Sequence, residues 1–176
     1  MAGGSVVTAI IRRGDAVLMV RQKGVEDDEA TRFVPGGRVE PGELLHEALA
    51  REVLEETGLE IDAPAHLAWV SQHALDHPTW GGVWTAFGFE VPDPGGEPVP
   101  QDPDRIVSQA VFVPITEAMQ LLAEVPQAPM RDPVVGYLHG TAEIGSLWIW
   151  RVGPDQVDTP LLTLPTALHM AANIAD

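Results

Sequence analysis

Ser5 to Ile11 (S-V-V-T-A-I-I) is a nearly unbroken apolar run rich in β-branched residues, the pattern of a buried strand. Arg13-Gly14-Asp15 follows as a hairpin turn, and Ala16 to Val20 (A-V-L-M-V) returns as a second strand. At Arg21 the pattern turns polar, and Arg21-Gln22-Lys23 opens a loop that reaches Ala30. Arg32-Phe33-Val34 is a short strand into a Pro35-Gly36-Gly37 turn, where two glycines let the backbone approach a ligand closely. Then the spacing changes. From Glu43 to Thr57 there is no Gly or Pro, helix formers dominate, and Leu45, Leu49 and Val53 recur every fourth residue. This predicts a helix over residues 43–57, entered from the Pro41-Gly42 turn and stopped by Gly58.

Downstream, Ile61 to Val70 is strand-like but broken by Pro64, and Ser71 to Gly82 (S-Q-H-A-L-D-H-P-T-W-G-G) is polar enough to predict a loop lining a pocket. Val83 to Val91 alternates, with Val83, Thr85, Phe87, Phe89 and Val91 on one face and Trp84, Ala86, Gly88 and Glu90 on the other. Pro92 to Pro103 is a Pro/Gly-rich loop. Ala110 to Pro114 predicts a strand, and Thr116 caps a helix over Glu117–Glu124 with Met119, Leu122 and Ala123 turned inward. Val125 to Asp132 is interrupted by prolines, and Val134 to His139 is a short helix or strand. Ser146 to Val152 predicts a strand with Trp148 and Trp150 on one face, and the apolar stretch Leu161 to Ile174 predicts a docked helix. The length suits one domain over residues 1–176, with the tail from about residue 133 packed on the core, covering an edge strand or building a homodimer contact.

Composition narrows the function classes. Apolar residues at 45% and charged residues at 20% describe an ordinary globular chain. Cysteine is absent, which removes disulfide frameworks, thiol nucleophiles and thiolate zinc sites and fits a reducing, cytoplasmic setting. Arg12-Arg13 and Asp15 interrupt the first apolar run, so it reads as neither signal peptide nor membrane span. A net charge of −16 argues against nucleic-acid and anionic-membrane partners. It also means that an anionic substrate would be repelled unless cations invert the local field.

The helix over residues 43–57 carries the chemistry. Glu52, Glu55 and Glu56 stand at i, i+3 and i+4, so their carboxylates share one face and repel one another. A hard divalent cation such as Mg²⁺ would offset that repulsion and keep waters for a phosphate-bearing substrate. A merely solvated acidic face is the plainer alternative.

Gly37, Glu43, Arg51, Glu52, Val53, Glu55, Glu56, Gly58 and Leu59 together fill every signature position of a pattern that resembles the Nudix box. The resemblance implies a Nudix-like α/β/α sandwich with a mixed curved sheet, and hydrolysis of a diphosphate linked to another moiety. It implies that Glu52, Glu55 and Glu56 hold Mg²⁺ or Mn²⁺, with a backbone carbonyl near Gly36 or Gly37 as an extra ligand. Glu52 or Glu56 is then the base, and Glu43 pairs with Arg51 as a brace, Arg51 serving the catalytic motif in part structurally. The family's distal acid maps to Glu90, Glu97, Asp102 or Asp104; Val107-Ser108-Gln109-Ala110 lacks the glutamates often found there.

Outside the box, Arg21 or Lys23 is a candidate for substrate phosphate, complementing the metals. Trp80 and Trp84 are candidates for stacking on a base, with core packing as their rival role. His73, Asp76 and His77 do not match a zinc spacing. The leading expectation is a metal-dependent pyrophosphohydrolase for a nucleoside diphosphate linked to another moiety. Its rival is a (d)NTP pyrophosphohydrolase of the nucleotide-pool-sanitising type. A nucleotide-sugar-binding regulator is disfavoured by the intact box and the lack of a basic segment, and an isoprenoid diphosphate isomerase by the lack of cysteine.

Overall fold

Strand β1 (Gly4–Arg13) is the axis of the sheet, since its Val7, Ala9, Ile10 and Ile11 are wholly buried. The computed structural model in which it lies describes residues 3–23, 30–62, 65–79, 81–153, 155 and 158–164. Only the end of β1, Arg12 and Arg13, pairs antiparallel with β2 (Ala16–Lys23). Its earlier Val6, Val7 and Thr8 pair with Arg38, Gly37 and Gly36 of the short strand β4 (Gly36–Arg38). The first hairpin is therefore splayed, and β4 is wedged into the opening. On its other side β1 runs parallel to β6 (Gly82–Val91), which pairs antiparallel with β5 (His66–Leu75). β5 runs parallel to β8 (Ser146–Val152), and β8 antiparallel to β9 (Asp158–Leu164). β2 in turn pairs antiparallel with both β3 (Ala30–Phe33) and β7 (Val107–Pro114).

Alternation along these strands divides the core into two layers, because successive side chains point to opposite faces. Val7, Ala9, Ile11, Leu18 and Val20 meet Ala48, Leu49 and Val53 of helix α1 (Leu45–Thr57) on one face. Ile10, Val17, Met19 and Trp69 meet α2 (Ile115–Ala123) and α3 (Ala128–His139) on the other. Each such Val, Leu or Ile contributes about 1.5–3 kcal/mol by leaving water. The result is the α/β/α sandwich with a mixed sheet that the resemblance implied. No helix among the described residues is long and apolar enough to cross a membrane.

Several boundaries differ from expectation, each for a local reason. α1 begins at Leu45 rather than Glu43, because the Glu43 carboxylate accepts the Glu40 N–H at 2.9 Å while Glu47 reaches back to the Leu44 N–H at 2.8 Å. α2 starts at Ile115, straight after Pro114, and Thr116 lies inside it rather than capping it. Arg21, Gln22 and Lys23 belong to β2 and not to a loop, since β3 and β7 flank them on both sides. Ser71 to Leu75 likewise belong to β5; polar Ser71, Gln72 and His73 read as loop although β6 and β8 pair with them. Residues 128–132, part of the stretch expected to be interrupted by prolines, are helical. Pro129 stands in the first turn, where no helical N–H is required. Leu161 to Leu164 lie in β9 rather than in a terminal helix, and the remainder of that stretch, like Trp80, is outside the described residues.

Candidate active site

Gly58 closes α1 with φ 70°, its N–H bonded to the Leu54 carbonyl at 2.7 Å. That left-handed residue has a second use. A Cβ there would overlap the Val99 carbonyl, so glycine lets the loop after β6 run across the end of the helix. The loop is tied down by Val99 N–H to Thr57 O at 2.7 Å and Gln101 N–H to Glu55 O at 2.8 Å. These bonds satisfy helix carbonyls that would otherwise be orphaned. They also deliver Asp102 and Asp104 to a pocket of about 500 Å³ that Glu52, Glu55 and Glu56 line.

The pocket's other wall is Gly36, Gly37 and Arg38 of β4, with Gln22 from β2. Gly37 lies against the Glu52 carboxylate, and a Cβ there would push that side-chain end aside. Glu56 is 7% exposed, and its Oε2 accepts the Gly36 N–H at 2.8 Å. Burial, reinforced by nearby Glu52, Asp102 and Glu55 against that single hydrogen bond, pushes Glu56 up to about 8. Burial also raises Glu52, with Arg51 opposing it.

Arg51 is the hub of the acids. It forms a two-pronged pair with Glu43, Nε to Oε1 at 2.9 Å and Nη2 to Oε2 at 3.1 Å. Its Nη1 reaches Glu52 at 2.8 Å and Glu55 at 3.3 Å, and Nη2 donates to the Arg38 carbonyl at 2.9 Å. Arg51 holds Glu43 below the usual carboxylate range, and Glu43 in turn raises Arg51. With two of the three helix acids turned to Arg51, no group of three acidic or histidine side chains converges in ligating geometry among the described residues. The donor set is nevertheless all oxygen, and Glu56 is a buried acid with one hydrogen-bond donor. Both facts suit a hard divalent cation.

Of the distal acids, Asp102 and Asp104 line this pocket. Burial alone would raise Asp102, but the N–H groups of Val107, Asp104 and Ile106 hold it below the usual carboxylate range. Glu97 is exposed, while Glu90 lies on the α3 side of the sheet, where it accepts the Tyr137 hydroxyl and sits 3.6 Å from Arg12. Strand alternation accounts for that displacement, since Glu90 shares its face with Trp84 and Ala86 and not with Phe89 and Val91.

Arg21 and Lys23 do not line the acidic pocket; their neighbour Gln22 does. The same alternation that buries Leu18 and Val20 towards α1 sends Gln22 there and its two basic neighbours to the opposite face. Arg51 and Arg38 are the cationic residues of the pocket wall, and the Arg38 guanidinium lies 4.9 Å from the centre of the Trp84 ring. No sequence signal marks Arg38, apart from its place directly after Gly36-Gly37. Trp84 itself lines a second, apolar cavity on the α3 side together with His73.

Comparison with known proteins adds the family. The model of the NUDIX domain matches residues 3–132. This chain belongs to the Nudix family. The family acts on pyrophosphate bonds. The NAD-capped RNA hydrolase NudC of Stutzerimonas stutzeri is 32% identical over 138 residues, 73% of this chain and 40% of that protein. A putative 8-oxo-dGTP diphosphatase 2 of Mycobacterium tuberculosis is 37% identical over 97 residues, 55% of this chain and 66% of its own length. The match to NudC thus spans less than half of that relative. Among solved structures, a MutT protein from Bacillus halodurans superposes with a TM-score of 0.66 at 22% identity, over 92% of this chain and 96% of that one, a likeness of fold.

Proposed function

We propose that this Nudix chain is a divalent-cation-dependent pyrophosphohydrolase that cleaves a nucleoside diphosphate linked to another moiety, releasing a nucleoside monophosphate and the phosphorylated moiety. The observation that carries the reading is Glu56. A solvated acidic helix face would leave this carboxyl exposed and ordinary in acidity; instead it is 7% exposed and pushed up to about 8 at the wall of an open pocket.

Glu52, Glu55 and Glu56, with the Gly37 carbonyl, are the groups that would hold Mg²⁺ or Mn²⁺. When bound, such a cation neutralises diphosphate charge, polarises phosphorus and acidifies a water. The chain's own residues supply the rest. The Gly36 N–H holds Glu56 Oε2, which orients the carboxyl and leaves Oε1 to take the proton of the attacking water. Glu52 is the alternative base, being raised by burial as well. The water oxygen bonds to phosphorus as the bridging P–O bond breaks, and the electron pair leaves with the departing phosphate. Gln22 offers a donor to non-bridging oxygens. Arg51 is a positioning residue, bracing Glu43 against Glu52 and Glu55.

A second reading, hydrolysis of (d)NTPs to the monophosphate and pyrophosphate, is favoured by the name of the Mycobacterium tuberculosis relative. Incubation with nucleotide-linked diphosphates and (d)NTPs plus Mg²⁺, followed by chromatography of the products, separates the two. Nucleoside monophosphate with a phosphorylated partner supports the first reading, and pyrophosphate the second. Inertness towards every diphosphate, with tight binding of one, would identify a nucleotide-binding regulator instead.

A further inference from the structure

The turn that enters β7 forms part of the wall of the acidic pocket, and Pro103, Asp104, Ile106 and Val107 all line it. Between them stands Arg105. Among the described residues it is the one residue other than glycine with a positive φ, at 56°. That left-handed conformation crowds the Cβ of an L residue, whereas glycine adopts it freely.

The turn itself does not call for an arginine. Asp102 folds the chain there: its Oδ1 accepts the Asp104 N–H at 2.9 Å, and its Oδ2 accepts those of Ile106 at 2.6 Å and Val107 at 2.8 Å. The Asp102 carbonyl accepts the Arg105 N–H at 3.2 Å. Every donor in this set is a backbone group, so glycine at position 105 would serve the turn at least as well. Every other positive φ among the described residues belongs to a glycine. Backbone strain of this kind gathers where a side chain is needed for function.

The charges around the pocket say what the side chain is for. Among the described residues six carboxylates line the pocket, against the two arginines Arg38 and Arg51. Both arginines are committed elsewhere: Arg51 holds Glu43, Glu52 and Glu55, and the Arg38 guanidinium lies against the Trp84 ring. Arg105 is exposed, and its guanidinium joins no ion pair or side-chain hydrogen bond among the described residues. A guanidinium presents five N–H donors in a rigid fork that matches phosphate oxygens. In a chain of net charge −16, a cation at the edge of this pocket also offsets the repulsion of an incoming anion.

We propose that Arg105 is a substrate-binding residue whose guanidinium donates to phosphate oxygens of a diphosphate held in the acidic pocket. The assignment deepens the hydrolase reading and rests on it for the identity of the anion.

Arg105→Gly separates binding from folding, because it removes the guanidinium and relieves the strained φ of 56°. It should melt no lower than the parent. Arg105→Gln removes the charge but keeps a side chain, and Arg105→Lys keeps the charge without the fork. The probe is methylenediphosphonate, whose P–C–P bridge resists hydrolysis, titrated calorimetrically into the full chain with saturating Mg²⁺. Mg²⁺ alone is titrated in parallel. Diphosphonate affinity should fall about tenfold in the Gly and Gln variants, the size of one charge-assisted hydrogen bond, with Lys in between. The KM of any diphosphate that the parent hydrolyses should rise by the same factor. Mg²⁺ affinity should hold or strengthen in the Gly and Gln variants, since a nearby positive charge has been removed. Unchanged diphosphonate affinity and KM in both of them would overturn the assignment. A joint loss of Mg²⁺ affinity and melting temperature in Arg105→Gly would do so too, by making Arg105 a residue of the turn's structure. Either result beside hydrolysis by the parent leaves the enzymatic reading standing. A parent that neither binds the diphosphonate nor hydrolyses any diphosphate overturns both.

Discussion

At the scale of single residues, Glu56 makes the sharpest demand. Its folded pKa lies above the ordinary value of 4.5, so its protonated form favours folding. That contribution is complete below about 4.5 and is lost as pH rises through about 8. In chelator, the melting temperature should therefore fall between pH 5 and pH 8 by the equivalent of about 1–3 kcal/mol. Glu56→Gln, which keeps an acceptor for Gly36, should flatten that slope in calorimetric scans and lower turnover about 10²–10⁴-fold. Arg51→Lys makes a different prediction. A lysine cannot serve Glu43 with two parallel bonds and still reach Glu52, Glu55 and the Arg38 carbonyl. It should lose both stability and activity, visible as a lower denaturation midpoint together with a lower kcat. The acids of α1 were legible in the chain because helical spacing converts three letters into one face. Arg38 and Gln22 were not, because a strand reveals its faces only once its partners are known.

At the scale of elements, α3 shows how a breaker can be tolerated. Pro133 has no N–H to give to the carbonyl four residues back, which is that of Pro129. The buried hydroxyl of Ser71 on β5 donates to that carbonyl instead, at 2.9 Å. Ser71→Ala should cost about 1–3 kcal/mol in chemical denaturation, because a buried acceptor loses its donor. Pro133→Ala restores a helical N–H for Pro129. The loss from Ser71→Ala should then shrink in the double variant, a coupling that two single variants and their combination measure. The first turn of α3 is met from outside in the same manner, Asp158 Oδ2 of β9 accepting the Ala128 N–H at 2.6 Å. Helix and strand periodicity recovered β1, β6, β8 and α1. It missed the second half of β5 and the first half of α3, because a serine and two prolines read as punctuation until a partner elsewhere in the chain supplies or accepts the missing bond.

At the scale of the whole molecule, the net charge of −16 and a pocket of buried acids act together. Mg²⁺ at one hundred times its dissociation constant should stabilise the protein by about 2.7 kcal/mol, read as a rise in melting temperature. The rise should be larger at pH 8 than at pH 6, since loading requires Glu56 ionised, and it should shrink with added salt. Glu52→Gln together with Glu56→Gln should abolish it. The family match ends at residue 132, yet the sheet continues through β8 and β9, so the tail is part of the framework. That continuation has a consequence for biogenesis. Every residue of the acidic pocket lies between Gln22 and Val107, whereas the helix above the neighbouring cavity waits for Asp158 to meet its first turn. As the chain leaves the ribosome, every residue lining the acidic pocket emerges before the strand that completes the first turn of α3.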